Sequence, residues 1–308
     1  MQELVIPTRF GDFQAIDHGG DGPNVLALHD LFISNAASWL HVAERLDGRA
    51  RLVALDREGH GQTRISAEHA IDACAALADI VEYLGWVGDD APVLAGCGSG
   101  GWDLTAALIC GGVKAKGLVS VEAAYCVPAD ELLGYLAEFA ATDDVGNLWG
   151  ILGLGWTGTE AEMRDEMARL IALRESSWIV SEASPSMWEA TVRRSFVRDG
   201  DTWRRAPATE AMTGLVWERV QQEPKPSPES YARLDVPATF LLAEGGLYGV
   251  FGDEIDAMVA GDPRRRMRLL PAVNNLLSTH PGVIADEILA FVDSPGPEVV
   301  ADGDLLVG

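Results

Sequence analysis

The chain has no apolar run approaching the roughly 20 residues that cross a bilayer. Met1–Phe10 carries no basic segment followed by an apolar one, so neither a membrane span nor a secretory leader is expected. Cysteine is scarce. Cys74, Cys97, Cys110 and Cys126 are scattered without C-x-x-C spacing, which argues against a disulfide framework or a zinc site and for reduced, mostly buried thiols in a cytoplasmic protein. Positive charge is also in deficit: a net charge of −24 repels nucleic acid and anionic membranes, so neither is expected as a partner. The glycines at 96, 98, 100 and 101 lack G-x-G-x-x-G spacing and no phosphate-loop lysine accompanies them, so no cofactor is expected, and no metal either.

What is present is ordinary for a globular chain. Its 308 residues are 48% apolar and 23% charged, enough for one large domain or a core with an insertion. Leu4–Phe10 and Phe13–His18 read as two strands joined by a turn at Gly11-Asp12. Runs of buried-strand type follow at Asn24–His29, Arg51–Asp56, Pro92–Gly96, Gly117–Val121, Ala238–Ala243 and Arg268–Leu270, with helical patterns between them at Ala67–Trp86 and Trp102–Ile109. That alternation predicts an α/β fold, with parallel strands, right-handed crossovers and helices on both faces.

The alternation breaks between Tyr125 and Glu229, a stretch rich in helix formers and in tryptophan (Trp149, Trp156, Trp178, Trp188, Trp203, Trp217), closed by the proline-rich Pro224–Pro228. The expected organisation is a core in two parts, 1–124 and 230–293, a helical cap at 125–229 and a flexible tail at 294–308. The tryptophans are read mainly as cap core.

Three ordered segments carry a resemblance. Leu26-Ala27-Leu28-His29-Asp30 ends a strand, Asp56-Arg57-Glu58-Gly59-His60-Gly61-Gln62-Thr63 forms a D-x-x-G-H-G-x-S/T turn, and Gly96-Cys97-Gly98-Ser99-Gly100-Gly101 forms a strand-turn-helix. In order and spacing they resemble the α/β-hydrolase fold superfamily from about Leu4 to Val292. The resemblance implies a mostly parallel eight-stranded sheet with an inserted helical cap, and a catalytic site at the carboxyl edge of the strands.

All three positions where the family keeps its serine, acid and histidine are replaced. The nucleophile belongs two residues after the first elbow glycine, which is Gly98. The acid's place after Ala238–Ala243 is Gly246, with Glu244 two residues early and Asp253 far downstream. The histidine's place is Asn275, or Asn274 if the loop differs by one, and His280 stands at the helix start beside Pro281. A register shifted by one would make Ser99 the nucleophile but put Cys97 where a glycine is needed; in the preferred register Ser99 caps the helix.

The resemblance also implies an oxyanion hole built from the Ser99 N–H and that of Leu31 (or Phe32), which side-chain replacement does not remove. Asp30 stands where glycine is usual and Glu122 ends the strand Gly117–Val121 at the same edge, so both are candidate acid–base groups. Their bland readings are a loop-capping carboxylate and a hydrogen-bonded carboxylate at the cap junction. Trp102, Tyr125 and Asn274 are candidate substrate contacts, and His29 and His60 are read as structural.

Three functions follow. The first is a repurposed non-hydrolytic enzyme (cyclase, lyase, decarboxylase or isomerase) acting on a small apolar or aromatic molecule, with natural-product metabolism as a setting. The second is a ligand-binding pseudoenzyme, and the third an esterase or lactonase using Ser99. A homodimer is left open.

Overall fold

The computed structural model describes residues 1–31, 33–65, 71–123, 150–176, 180–208, 223–225, 227–246, 252–273 and 275–293. The first hairpin pairs β1 (Gln2–Thr8) with β2 (Gly11–Asp17), Thr8 facing Gly11 across the turn Arg9-Phe10. The turn therefore falls two residues earlier than Gly11-Asp12. Gly11, at φ 124°, supplies the conformation that starts β2.

The parallel strands are β3 (Asn24–Leu28), β4 (Arg51–Leu55), β5 (Val93–Cys97), β6 (Gly117–Val121), β10 (Ala238–Ala243) and β11 (Arg265–Leu270). With the hairpin they form an eight-stranded sheet in the order β1-β2-β4-β3-β5-β6-β10-β11, antiparallel only at β1–β2 and β2–β4. β11 begins at Arg265 rather than Arg268, because Ala238 already pairs with Arg265 although the first residues of β11 are arginines. The apolar runs are continuous because both faces are covered. Leu26, Leu28, Val53, Leu55, Leu94, Leu118, Phe240 and Leu242 belong to one core cluster, whereas Val25, Ala27, Leu52, Ala54, Val93, Val119, Leu241 and Ala243 belong to the other.

Helices α1 (Leu40–Leu46), α2 (Ala73–Tyr83), α3 (Ser99–Ile109), α7 (Gly252–Ala260), α8 (Leu276–Thr279) and α9 (Pro281–Val292) accompany the sheet. Between β6 and β10, the described residues form α4 (Glu160–Leu173), α5 (Pro185–Ser195), α6 (Pro228–Ala232) and a small antiparallel sheet. That sheet joins β7 (Thr157–Gly158), β8 (Phe196–Asp199) and β9 (Thr202–Arg205). Thr159 caps α4 in a reciprocal capping box with Glu162, and Ser184 with Pro185 starts α5. Trp188 is buried in this segment's own core with Met163, Leu170 and Phe196, and its Nε1–H donates to the Leu170 carbonyl at 2.8 Å. Trp156 and Trp203 pack against the same cluster. Trp149, Trp178, Trp217 and the tail lie outside the described residues.

The expectation of mostly buried thiols does not hold. Cys110 is exposed, Cys74 and Cys97 are half-buried, and Cys126 lies outside the described residues. Among the described residues no helix is long and apolar enough to cross a membrane.

Candidate functional site

The site grows from the turn between β5 and α3. Gly98 has φ 53° and ψ −125°, a conformation that side-chain-bearing residues adopt only under strain. Gly96 is the crowded glycine: a Cβ there would stand 2.5 Å from the Gly101 Cα, the cost of packing helix against strand this closely.

The space above Gly98 is filled. A Cβ on Gly98 would lie 2.2 Å from Asp30 Oδ1 and 2.3 Å from its Cγ, so the Asp30 carboxylate occupies the volume into which an elbow side chain would project. Asp30 Oδ1 accepts the Ser99 N–H at 2.9 Å and the Ser99 hydroxyl at 3.0 Å. The Leu31 N–H donates to Ser99 Oγ at 3.1 Å. Both backbone donors assigned to an oxyanion hole thus have acceptors inside the protein.

Two buried groups hold this arrangement from below. Arg57, 2% exposed, donates through Nη1 to Ser99 Oγ and through Nη2 to Asp103 Oδ2 at 2.5 Å. His29 accepts the Arg57 N–H on Nε2 at 3.0 Å while its Nδ1 faces the Asp30 carbonyl at 2.5 Å. Burial holds His29 far below the usual imidazole range, and the neighbouring His60 and Arg57 add to the effect. A neutral ring donating through Nδ1 and accepting at Nε2 satisfies both contacts. His60 stacks obliquely on it at 5.2 Å.

Glu122 follows β6 with φ 54°, uncommon for a residue with a side chain. Its Oε1 accepts the Ala243 N–H. Its Oε2 lies 2.8 Å from where a Gly246 Cβ would be, so the Glu122 carboxylate stands directly against Gly246. Burial pushes its pKa up to about 7; the Ala243 N–H works against the shift and the charge of Asp30 adds to it. Burial pushes the Cys97 thiol well above its ordinary value, and the charges of Asp30 and Glu122 add to the shift.

Over residues 18–299 the sequence matches the alpha/beta hydrolase family. The chain belongs to that family. Among solved α/β-hydrolase-like structures, it is similar to a thioesterase domain from the curacin biosynthetic pathway, with 18% identity, 94% of this chain and 99% of that one covered, and a TM-score of 0.69. E-2-(acetamidomethylene)succinate hydrolase gives 14% identity, 95% and 100% coverage and a TM-score of 0.71. An esterase from Thermogutta terrifontis gives 18%, 96% and 100% coverage, and 0.63. No curated protein matches.

Within this α/β-hydrolase chain, the other expected site residues are dispersed. Trp102 packs against the core cluster that contains Leu104 and Leu108. Asn275, at φ 56°, precedes α8, and His280 sits between α8 and α9 with Nδ1 3.0 Å from Thr279 Oγ1. Glu244 and Asp253 are exposed. Tyr125, Asn274 and Phe32 lie outside the described residues, and among the described residues no His/Cys/Asp/Glu group could hold a metal ion. Sequence reasoning missed Arg57 and Asp103. The available signal was an aspartate four residues after Ser99 on an otherwise apolar helix, which puts both on one face.

The raised Glu122 pKa has a measurable consequence for stability. Between pH 4.5, its ordinary value, and about 7, the folded chain keeps a proton that the unfolded chain has released. Stability therefore falls as pH rises through that window. In urea unfolding, wild type should lose up to about 3 kcal/mol relative to Glu122→Gln across it. A pH-independent difference would place Glu122 in water.

Proposed function

We propose that the chain is a non-hydrolytic enzyme for a small apolar or aromatic molecule, in which Asp30 and Glu122 move protons at the elbow. One observation carries this reading: the Asp30 carboxylate fills the side-chain volume above Gly98, beside a Glu122 poised near neutrality. A carboxylic acid with a pKa close to the working pH serves both as proton donor and, once ionised, as acceptor. Asp30 receives the Ser99 N–H and O–H, which leaves its second oxygen as the natural acceptor for a substrate proton. Elimination, isomerisation, cyclisation and decarboxylation need such transfers and no covalent intermediate.

The thioesterase and esterase named among the structural neighbours suggest hydrolysis through Ser99 instead. Against that, the Ser99 hydroxyl accepts from Leu31 and Arg57 and donates to Asp30, so its three hydrogen-bonding positions are filled. A fluorophosphonate probe should leave no adduct on Ser99 by intact mass and peptide mapping; a stoichiometric adduct would restore the hydrolase reading. A ligand-binding role without turnover is favoured by the internal acceptors on both backbone donors.

Deuterium exchange separates the two remaining readings. Across a panel of ketones and esters with acidic α-hydrogens in D2O, wild type should exchange at least one compound. Asp30→Asn/Glu122→Gln should exchange it at least 100-fold more slowly, within the usual reach of general acid–base catalysis. Exchange that survives the double substitution removes these two residues from the mechanism, and no exchange by wild type supports binding alone.

A further inference from the structure

Away from the elbow, the first turn of α2 and the C-terminal cap of α3 bring Cys74 and Cys110 together, with their Sγ atoms 2.9 Å apart. The two residues are separated by 36 positions in sequence, and nothing in their spacing suggested a pair. Cys110 is exposed and Cys74 half-buried, so one thiol meets solvent and the other lies behind it. A disulfide requires an S–S distance of about 2.04 Å, less than 1 Å closer than these atoms already stand.

We propose that Cys74 and Cys110 form an oxidisable dithiol that closes to an intramolecular disulfide by exchange with a low-molecular-weight disulfide of the glutathione class. The Cys110 thiolate attacks one sulfur of the small disulfide, forming a mixed disulfide and releasing one small thiolate. Cys74 then loses its proton and attacks the Cys110 sulfur, forming the Cys74–Cys110 bond and releasing the second small thiolate. Two protein thiols are oxidised, one small disulfide is reduced to two thiols, and no other reactant is needed.

The order follows from the surroundings. Burial first, then the hydrogen bond and charge of Cys110, push Cys74 up to about 12. Cys110, being exposed, is the accessible first attacker. Once Cys110 is in the mixed disulfide, its hydrogen bond and charge no longer raise Cys74, and the resolving thiol stands next to the sulfur it attacks.

The full-length chain, incubated with oxidised glutathione, should lose two hydrogen atoms in intact mass and yield a linked Cys74–Cys110 peptide on non-reducing mapping. Dithiothreitol should reverse both changes. Cys74→Ser should stop at a glutathione adduct on Cys110. Wild type that stays fully reduced, that keeps glutathione on Cys110, or that cross-links through Cys97 or Cys126 overturns the proposal.

Discussion

Arg194→Met should cost about 3–5 kcal/mol of stability, read as a lowered urea midpoint, because it strands a buried carboxylate. Asp56 is fully buried, and Arg194 Nε reaches both of its oxygens, at 3.0 and 2.9 Å. The Ala36 and Gln62 N–H groups also donate to Asp56, at 2.8 and 2.7 Å, yet neither neutralises its charge. The pair joins β4's loop to α5, so it anchors the segment between β6 and β10 to the sheet. Glu3 is the control: it also pairs with Arg194, but its side chain is 64% exposed. Glu3→Gln should change stability by no more than about 1 kcal/mol. Asp56→Asn combined with Arg194→Met should recover part of the loss, since no charge is then left unpaired. Equal costs for the arginine and Glu3 substitutions would show that Asp56 is not held by Arg194.

Gly98→Ala tests whether Asp30 occupies the elbow. In the native background the new methyl meets the Asp30 carboxylate and also bears the strain of φ 53°. Together these should cost about 2–6 kcal/mol, from overpacking of about 1–3 and backbone strain of about 1–3. In an Asp30→Gly background only the strain remains, so the same substitution should cost about 1–3 kcal/mol. The double-mutant cycle, measured by urea unfolding, should therefore yield a coupling of about 1–3 kcal/mol. Additive costs would mean that the carboxylate does not fill this volume, and the acid–base reading would lose its carrying observation.

Much of the frame was legible from local pattern. Gly117–Val121 and Ala238–Ala243 form strands with the predicted bounds, because each run is buried along its whole length, its single hydroxyl residue (Ser120, Thr239) included. Misplaced ends had local causes. Arg265 and Arg266 made the start of β11 look polar, although Arg266 and Arg268 meet Glu287 of α9 from an edge strand. The antiparallel strands β7 to β9 are two to four residues long, too short to show a period.

Residue order alone determined the α/β frame, the elbow glycines and the two carboxylates at one edge, since each depends on spacing within a few residues. Tertiary structure decided where the carboxylates stand. Asp30 and Gly98 are 68 positions apart, and Glu122 and Gly246 are 124 apart; each pair meets only because neighbouring parallel strands end at the same edge. The same is true of Arg57 beneath Ser99, Arg194 on Asp56 and Cys74 against Cys110. No local period encodes such contacts, because they arise from side chains whose backbones are placed by the packing of other elements.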